Sequence, residues 1–153
     1  MKKKILLIAN SYWYIYNFRI SLIKLLVKKG YEIKIVCPTN ETKIDFLSKN
    51  KIPILKWNLH RRSINPIKEL RSIIQLISIY KTEKPDLVHH FTIKACIYGT
   101  IAAKFSKTYL VINAITGLGH MFLGTGRKHK FMRFIIKPIN KNIFTAKRSK
   151  VIF

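Results

Sequence analysis

Apolar positions along the chain fall into short runs that alternate with broader stripes. Ile5 to Ala9 is an unbroken apolar run introduced by lysines, which suits a strand covered on both faces in a parallel sheet. A polar and aromatic loop, Asn10 to Arg19, is expected to follow. From Phe18 onward, Ile20, Leu22, Ile23, Leu25, Leu26 and Val27 form a helical stripe closed by Lys28, Lys29 and Gly30. YEIKIVCP reads as a second strand ending at Pro38, Glu41 to Asn50 as a short helix with Ile44, Phe46 and Leu47 inward, and Ile52 to Trp57 as a third strand. Asn65 can cap and Pro66 can open a helix whose inner face carries Ile67, Leu70, Ile73, Ile74 and Ile77, as far as about Lys81.

Pro85-Asp86 then introduces a fourth strand, Leu87 to His89, and Lys94 to Phe105 is a helix rich in small residues. Its Ala95, Gly99, Ala102 and Ala103 predict close approach to the sheet. Tyr109 to Ala114 is a fifth strand that runs into a glycine-punctuated loop, AITGLGHMFLGTG. Lys128 to Ser149 follows as a basic amphipathic segment that Pro138 should kink, and Lys150 to Phe153 opens another strand. Strands alternating with helices at this spacing predict an α/β fold, a Rossmann-like doubly wound parallel sheet in one domain. Ligands of such sheets bind outside the carboxyl ends of the strands, so the loops after each strand are where chemistry is sought first.

Charge changes the picture more than composition does. The formal net charge is +24, and no acidic residue follows Asp86. Self-repulsion at that level calls for an anionic partner: nucleic acid, an anionic membrane face or a phosphate-bearing ligand. A proteome that uses lysine wherever a solvated residue is wanted would account for part of the excess. No apolar run is long enough for a membrane span, which with the lack of a signal-peptide pattern reads as a cytoplasmic protein. Cys37 and Cys96 are isolated and lack metal-ligand spacing, so reduced, half-buried thiols are expected and no metal site. The six acidic residues fall mostly on expected surface helices or turns, which argues against paired-carboxylate catalysis. Neither GxGxxG nor GxxxxGK[ST] is present, and GxSxG is absent too.

Several positions carry candidate chemistry. Tyr12, Trp13 and Tyr14 are either an aromatic cap on the core or a crevice wall. Arg19, at the expected start of a helix, opposes the helix dipole and makes better sense turned toward a phosphate or carboxylate. His60, Arg61, Arg62, Ser63 and Asn65 bring two guanidinium forks and small polar groups beside a helix N-terminus, which suits a phosphate or sugar hydroxyls. His89 and His90 leave the fourth strand with one side chain inward and one outward, and His120 sits in the glycine loop. His90 and His120 are the candidates for acid-base work, with structural roles as the alternative. Arg133, Lys137 and Lys141 on the basic segment either face an anionic bilayer or form the solvated side of a packed helix. The aromatics are not arranged as a strand-borne stacking platform, so sequence-specific nucleic-acid binding is not expected.

The order ILLIAN, NFR, RRSINP, HHFTIK and INAITGLG resembles the N-terminal half of family 4 glycosyltransferases, particularly bacterial enzymes that add N-acetylhexosamines to undecaprenyl-diphosphate-linked sugars. The resemblance covers essentially the whole chain. It implies the N-terminal half of a GT-B architecture, residues 1–153, with acceptor binding here and the nucleotide-sugar bound mainly by a C-terminal domain that this sequence lacks. It also implies metal-independent, retaining transfer at the inner face of the cytoplasmic membrane, with no cofactor beyond the nucleotide-sugar. Carried onto this sequence, the matching elements are Asn17, Phe18 and Arg19, then Arg62, Ser63, Asn65 and Pro66, then His90 and Lys94, then Gly117 to Gly119. Of these, Asn17, Arg19, Arg62, Ser63, Asn65, Lys94, Gly117 and Gly119 are expected to bind substrate. The glycine pair that many members carry in the first loop is replaced by Ser11 to Tyr14, which argues against a donor-phosphate contact there. A last strand ending after its third apolar residue reads as an incomplete chain, one not expected to complete transfer alone. The readings of other classes are an anionic-surface or nucleic-acid-binding protein that reuses the fold, and a sugar-nucleotide epimerase of the same two-domain plan.

Overall fold

The computed structural model describes residues 2–38, 47, 50–63, 65–108, 110–115 and 149–152. Its elements, in chain order, are β1 (Lys4–Ile8), α1 (Tyr12–Lys28), β2 (Glu32–Cys37), β3 (Ile54–Lys56), α2 (Pro66–Glu83), β4 (Leu87–Phe91), α3 (Ile93–Ser106), β5 (Leu110–Ala114) and β6 (Ser149–Ile152). The strands form one sheet in the order β3-β2-β1-β4-β5-β6. Every pairing is parallel, with Leu7 opposite Ile35 on one side and His89 on the other. This is the expected Rossmann-like α/β fold. The strand order reverses between β1 and β4, so the crevice of this sheet lies at the carboxyl ends of those two strands.

β1 is apolar without alternation because it is covered on both faces. Ile5, Leu7 and Ala9 pack with Tyr12, Ile15 and Ile23 of α1, whereas Leu6 and Ile8 share the opposite core with Leu76 and Tyr80 of α2 and Ala95 and Ala102 of α3. Burying one such aliphatic side chain contributes about 1.5–3 kcal/mol, so this central strand anchors both layers.

Three expectations change. The stretch from Tyr12 is the first turns of α1 rather than a loop: Ser11 caps the helix by accepting the Tyr14 N–H, and Tyr12 and Ile15 are buried one turn apart. Arg19 therefore sits well inside a helix, and the dipole argument for its orientation falls away. The inner face of α2 is also rotated from the expected one. Ser72, Leu76 and Tyr80 are buried, while Ile67, Leu70 and Ile74 are 62%, 57% and 55% exposed. Polar lacing sets that rotation. Ser72 Oγ donates to Asn58 O (2.7 Å), and Trp57 Nε1 donates to Ser72 O (2.9 Å). The expected helix over 41–50 lies outside the described residues except for Leu47, which is buried, and Asn50.

Candidate functional site

The segment joining β3 to α2 crosses the carboxyl edge of the sheet, and the fold fastens it at both ends. Gln75 takes the Asn58 N–H on Oε1 (2.8 Å) and donates from Nε2 to Lys56 O (3.0 Å). Asn65 Oδ1 caps α2 by accepting from Ile67 N (3.0 Å) and Lys68 N (3.4 Å), with Pro66 in the first helical turn. Lys94 reaches across from α3. Its Nζ donates to His60 O (3.0 Å), Ser63 O (2.7 Å) and the Glu69 carboxylate (3.1 Å), and Tyr98 donates its hydroxyl to the same carboxylate. An ammonium has three protons, so these partners use all of them.

Between these fastenings, His60, Arg61 and Arg62 are exposed. With Ser63, and with Asn10, Ser11 and Pro38 from the ends of β1 and β2, they line a cleft of about 640 Å³. A neighbouring cleft of about 630 Å³ shares Pro38, Leu59 and His60 and adds Lys68 and Arg71. Among the described residues no carboxylate lines either one. Two guanidinium forks over a cleft with serine hydroxyls and an asparagine amide are chemistry for phosphate oxygens and sugar hydroxyls.

The described carboxylates are engaged elsewhere. Glu83 receives Lys34 Nζ (2.7 Å) and Lys4 Nζ (3.2 Å), Glu32 lies near the same lysines, and Asp86 accepts the Lys4 backbone N–H (2.7 Å). Burial pushes the Glu83 pKa upward, but the two lysines outweigh it and hold the carboxyl below its ordinary value. Among the described residues no group of three His, Cys, Asp or Glu is placed to hold a metal ion. Cys37 and Cys96 form no disulfide and are fully buried, deeper than the sequence implied, and burial pushes the Cys96 thiol up to about 12.

The residues singled out from sequence part company here. Arg62 and Ser63 come together at the cleft. Asn65 spends its amide oxygen on the helix cap, and Lys94 holds the loop with no proton left for a ligand. Asn17 is exposed on α1 and donates to Trp13 O (2.8 Å). His90 points into the core, fully buried, with Nδ1 2.7 Å from Asn113 Oδ1 and Nε2 2.8 Å from the Tyr80 hydroxyl. Both ring nitrogens are occupied, so His90 offers a substrate no proton and no lone pair, and the acid-base expectation for it is corrected to a packing role. His89, on the other face, is half-buried rather than outward: both faces of β4 are covered. Burial is the main cause that pushes both imidazoles down to about 4, so both are neutral near pH 7. Gly117, Gly119, His120, Arg133, Lys137 and Lys141 lie outside the described residues.

Sequence reasoning missed Glu69, Tyr98, Ser72 and Gln75, which hold the arginine loop. They carried no signal of their own, because their partners, backbone groups for Ser72 and Gln75 and the Lys94–Glu69 pair for Glu69 and Tyr98, come near only in the fold. It also missed Thr92, a non-glycine residue at φ 73°, ψ 152° where β4 meets α3.

Comparison with known proteins bears on the family and the fold. The chain is 27% identical over 130 residues to the N,N'-diacetylbacillosaminyl-diphospho-undecaprenol alpha-1,3-N-acetylgalactosaminyltransferase of Campylobacter jejuni, covering 85% of this chain and 34% of that protein. It is 30% identical over 131 residues to the UDP-Gal:alpha-D-GlcNAc-diphosphoundecaprenol alpha-1,3-galactosyltransferase of Escherichia coli, covering 84% of this chain and 32% of that one. The chain thus spans about a third of the length of these relatives. Among solved structures, Acinetobacter baumannii MurG superposes with a TM-score of 0.63 at 18% identity, over 98% of this chain and 45% of that one, a likeness of fold. The profile of the family described as "Glycosyl transferase 4-like" matches residues 4–147, nearly the whole sequence, and the chain belongs to that family.

Proposed function

We propose that this chain is the acceptor-binding half of a glycosyltransferase that moves a sugar from a nucleotide-sugar to a polyprenyl-diphosphate-linked sugar acceptor. The observation that carries the reading is the basic cleft at the carboxyl edge of the sheet, which Arg61 and Arg62 line with Ser11, Ser63 and Asn10 and with no acid among the described residues of the wall. Guanidinium forks neutralise a diphosphate, while hydroxyl and amide groups orient a sugar, and holding the acceptor hydroxyl in line with the donor is most of what such an enzyme must do. Both curated relatives carry names that specify diphospho-undecaprenol-linked sugars. Donor binding belongs to a second domain in this reading, and transfer needs no metal.

The acceptor's lipid places the protein on the inner face of the cytoplasmic membrane. No helix among the described residues is long and apolar enough to cross a bilayer. The exposed stripe of Ile67, Leu70 and Ile74 on α2, flanked by Lys68 and Arg71, supports docking on an anionic surface instead.

The test is sugar transfer by the complete enzyme to a polyprenyl-diphosphate-linked acceptor. Arg62→Ala should lower kcat/KM by about a hundredfold, the scale of one lost charge-assisted contact in the transition state. A chelator should leave the rate unchanged. Full activity in Arg62→Ala removes the site assignment, and absence of transfer to any lipid-diphosphate acceptor removes the reading.

A further inference from the structure

We infer that Arg19, His89 and Thr92 form a seat for a phosphoryl oxyanion where β4 ends, on the α1 face of the sheet. Three polar atoms there are buried without a hydrogen-bond partner: Arg19 Nε, His89 Nε2 and Thr92 Oγ1. A buried donor left unsatisfied costs about 1–3 kcal/mol, and more when it belongs to a charged group. The three residues border Phe91 at the end of β4, where one acceptor could answer them together. The Arg19 guanidinium carbon lies 4.5 Å from the Phe91 ring centroid, the His89 ring centroid lies 4.1 Å from it, and Thr92 is the next residue.

Arg19 is held in place by aromatic groups rather than by an acid. Its guanidinium also lies 5.2 Å from the Tyr14 ring centroid, and Nη2 donates to the Tyr14 hydroxyl. None of the carboxylates among the described residues pairs with it: they are bonded to Lys4, Lys34 and Lys94. Thr92 occupies a backbone region nearly reserved for glycine, a strain of about 1–3 kcal/mol. Its hydroxyl does not cap α3, the usual use of threonine at that position. The seat also falls at the reversal of strand order, where β1 and β4 diverge.

The ligand class follows from the donors. Guanidinium Nε–H, hydroxyl O–H and imidazole Nε2–H, with the ring proton on that nitrogen, make three donors with one formal positive charge. A phosphoryl group presents three acceptor oxygens and negative charge, whereas a carboxylate presents two oxygens. The inference deepens the transferase reading and rests on it only for the source of the phosphoryl group. The Arg62 cleft does not include these residues.

The experiment follows the His89 ring by NMR in the full chain during titration with inorganic pyrophosphate. A saturable displacement of the His89 signals is expected, with its pKa rising from about 4 as the anion binds. Arg19→Gln should weaken pyrophosphate by about tenfold; by isothermal titration calorimetry, which needs no ring at position 89, His89→Leu should weaken it too and His89→Gln, which keeps an N–H donor, should bind nearly as the parent does. Farnesyl diphosphate binding more tightly than pyrophosphate would identify a lipid-linked source, and equal affinity a free one; both support the seat. A missing or unsaturable His89 response in the parent chain overturns it, as does a response that persists unchanged in Arg19→Gln or that acetate reproduces at equal concentration. Arg62→Ala should leave the His89 response intact. A silent His89 beside an Arg62-dependent transfer would therefore discard the seat and keep the transferase.

Discussion

Gly99 leaves the space that the His90 imidazole fills: a Cβ built on Gly99 would stand 2.3 Å from His90 Nε2. The ring cannot retreat, because Asn113 holds Nδ1 on one side and Tyr80 holds Nε2 on the other. Thr100 completes the network, with its Oγ1 3.0 Å from the Asn113 Nδ2 that donates to it. Gly99→Ala should therefore destabilise the fold by about 1–3 kcal/mol, the range for forced overpacking, with the wild-type denaturant slope. An unchanged urea midpoint would mean that the ring does not sit against α3.

Buried His90 and half-buried His89 make stability acid-sensitive. Their folded pKa values of about 4 lie below the ordinary 6.5, so the unfolded chain binds more protons between those limits. Stability is therefore complete above about pH 6.5 and declines as pH falls toward 4, by up to about 3 kcal/mol for one such histidine. Urea unfolding at pH 7 and pH 5 should show the loss, and His90→Gln should flatten the slope while lowering stability at pH 7. A profile equally steep in His90→Gln would exclude the buried neutral imidazole as its source.

Lys94 and Glu69 are expected to act on the arginine loop without touching ligand. Lys94→Met removes the donor shared by His60 O, Ser63 O and Glu69, so amides from Asn58 to Ser63 should exchange with solvent about tenfold faster or more, while those of β1 do not change. Mass-spectrometric hydrogen exchange reads both. Tyr98→Phe should be milder, since Lys94 still holds Glu69. Unaltered loop protection in Lys94→Met would show that α2 alone fixes the segment.

Replacing Ile67, Leu70 and Ile74 together by serine should reduce co-sedimentation with vesicles rich in anionic lipid by about tenfold or more, with the fold intact because those side chains are already solvent-exposed. Lys137→Gln with Lys141→Gln should reduce it further through lost attraction, an effect that added salt should erase. Binding that ignores all of these changes would refute membrane docking by either surface.

The architecture was legible because burial leaves a periodic trace. The run from Ile5 to Ala9 suited a strand covered on both faces, and Ala95, Gly99, Ala102 and Ala103 announced a helix pressed close to the sheet; each forecast depends on local period and residue size. Misreadings arose where two patterns compete. The aromatics from Tyr12 to Tyr16 suit a loop or a helix equally by type, and Ser11 decided for the helix by supplying a cap. Apolar residues around the whole of α2 left its rotation open, and the Ser72 and Trp57 hydrogen bonds settled it with polar groups.

Period, residue type and charge along the chain were enough for the α/β class, the order of strands and helices, the excess of positive charge and the candidate cations of the β3–α2 loop. Tertiary structure alone decided which of those cations remain available to a ligand. Lys94, Arg19 and His90 look equally chemical in the sequence, yet Lys94 is spent on two carbonyls and a carboxylate and His90 on Tyr80 and Asn113, while Arg19 keeps an unpaired Nε beside His89. The physical reason is that a donor's partners come from distant elements, and their distances exist only once the sheet has brought α1, α2 and α3 around β4.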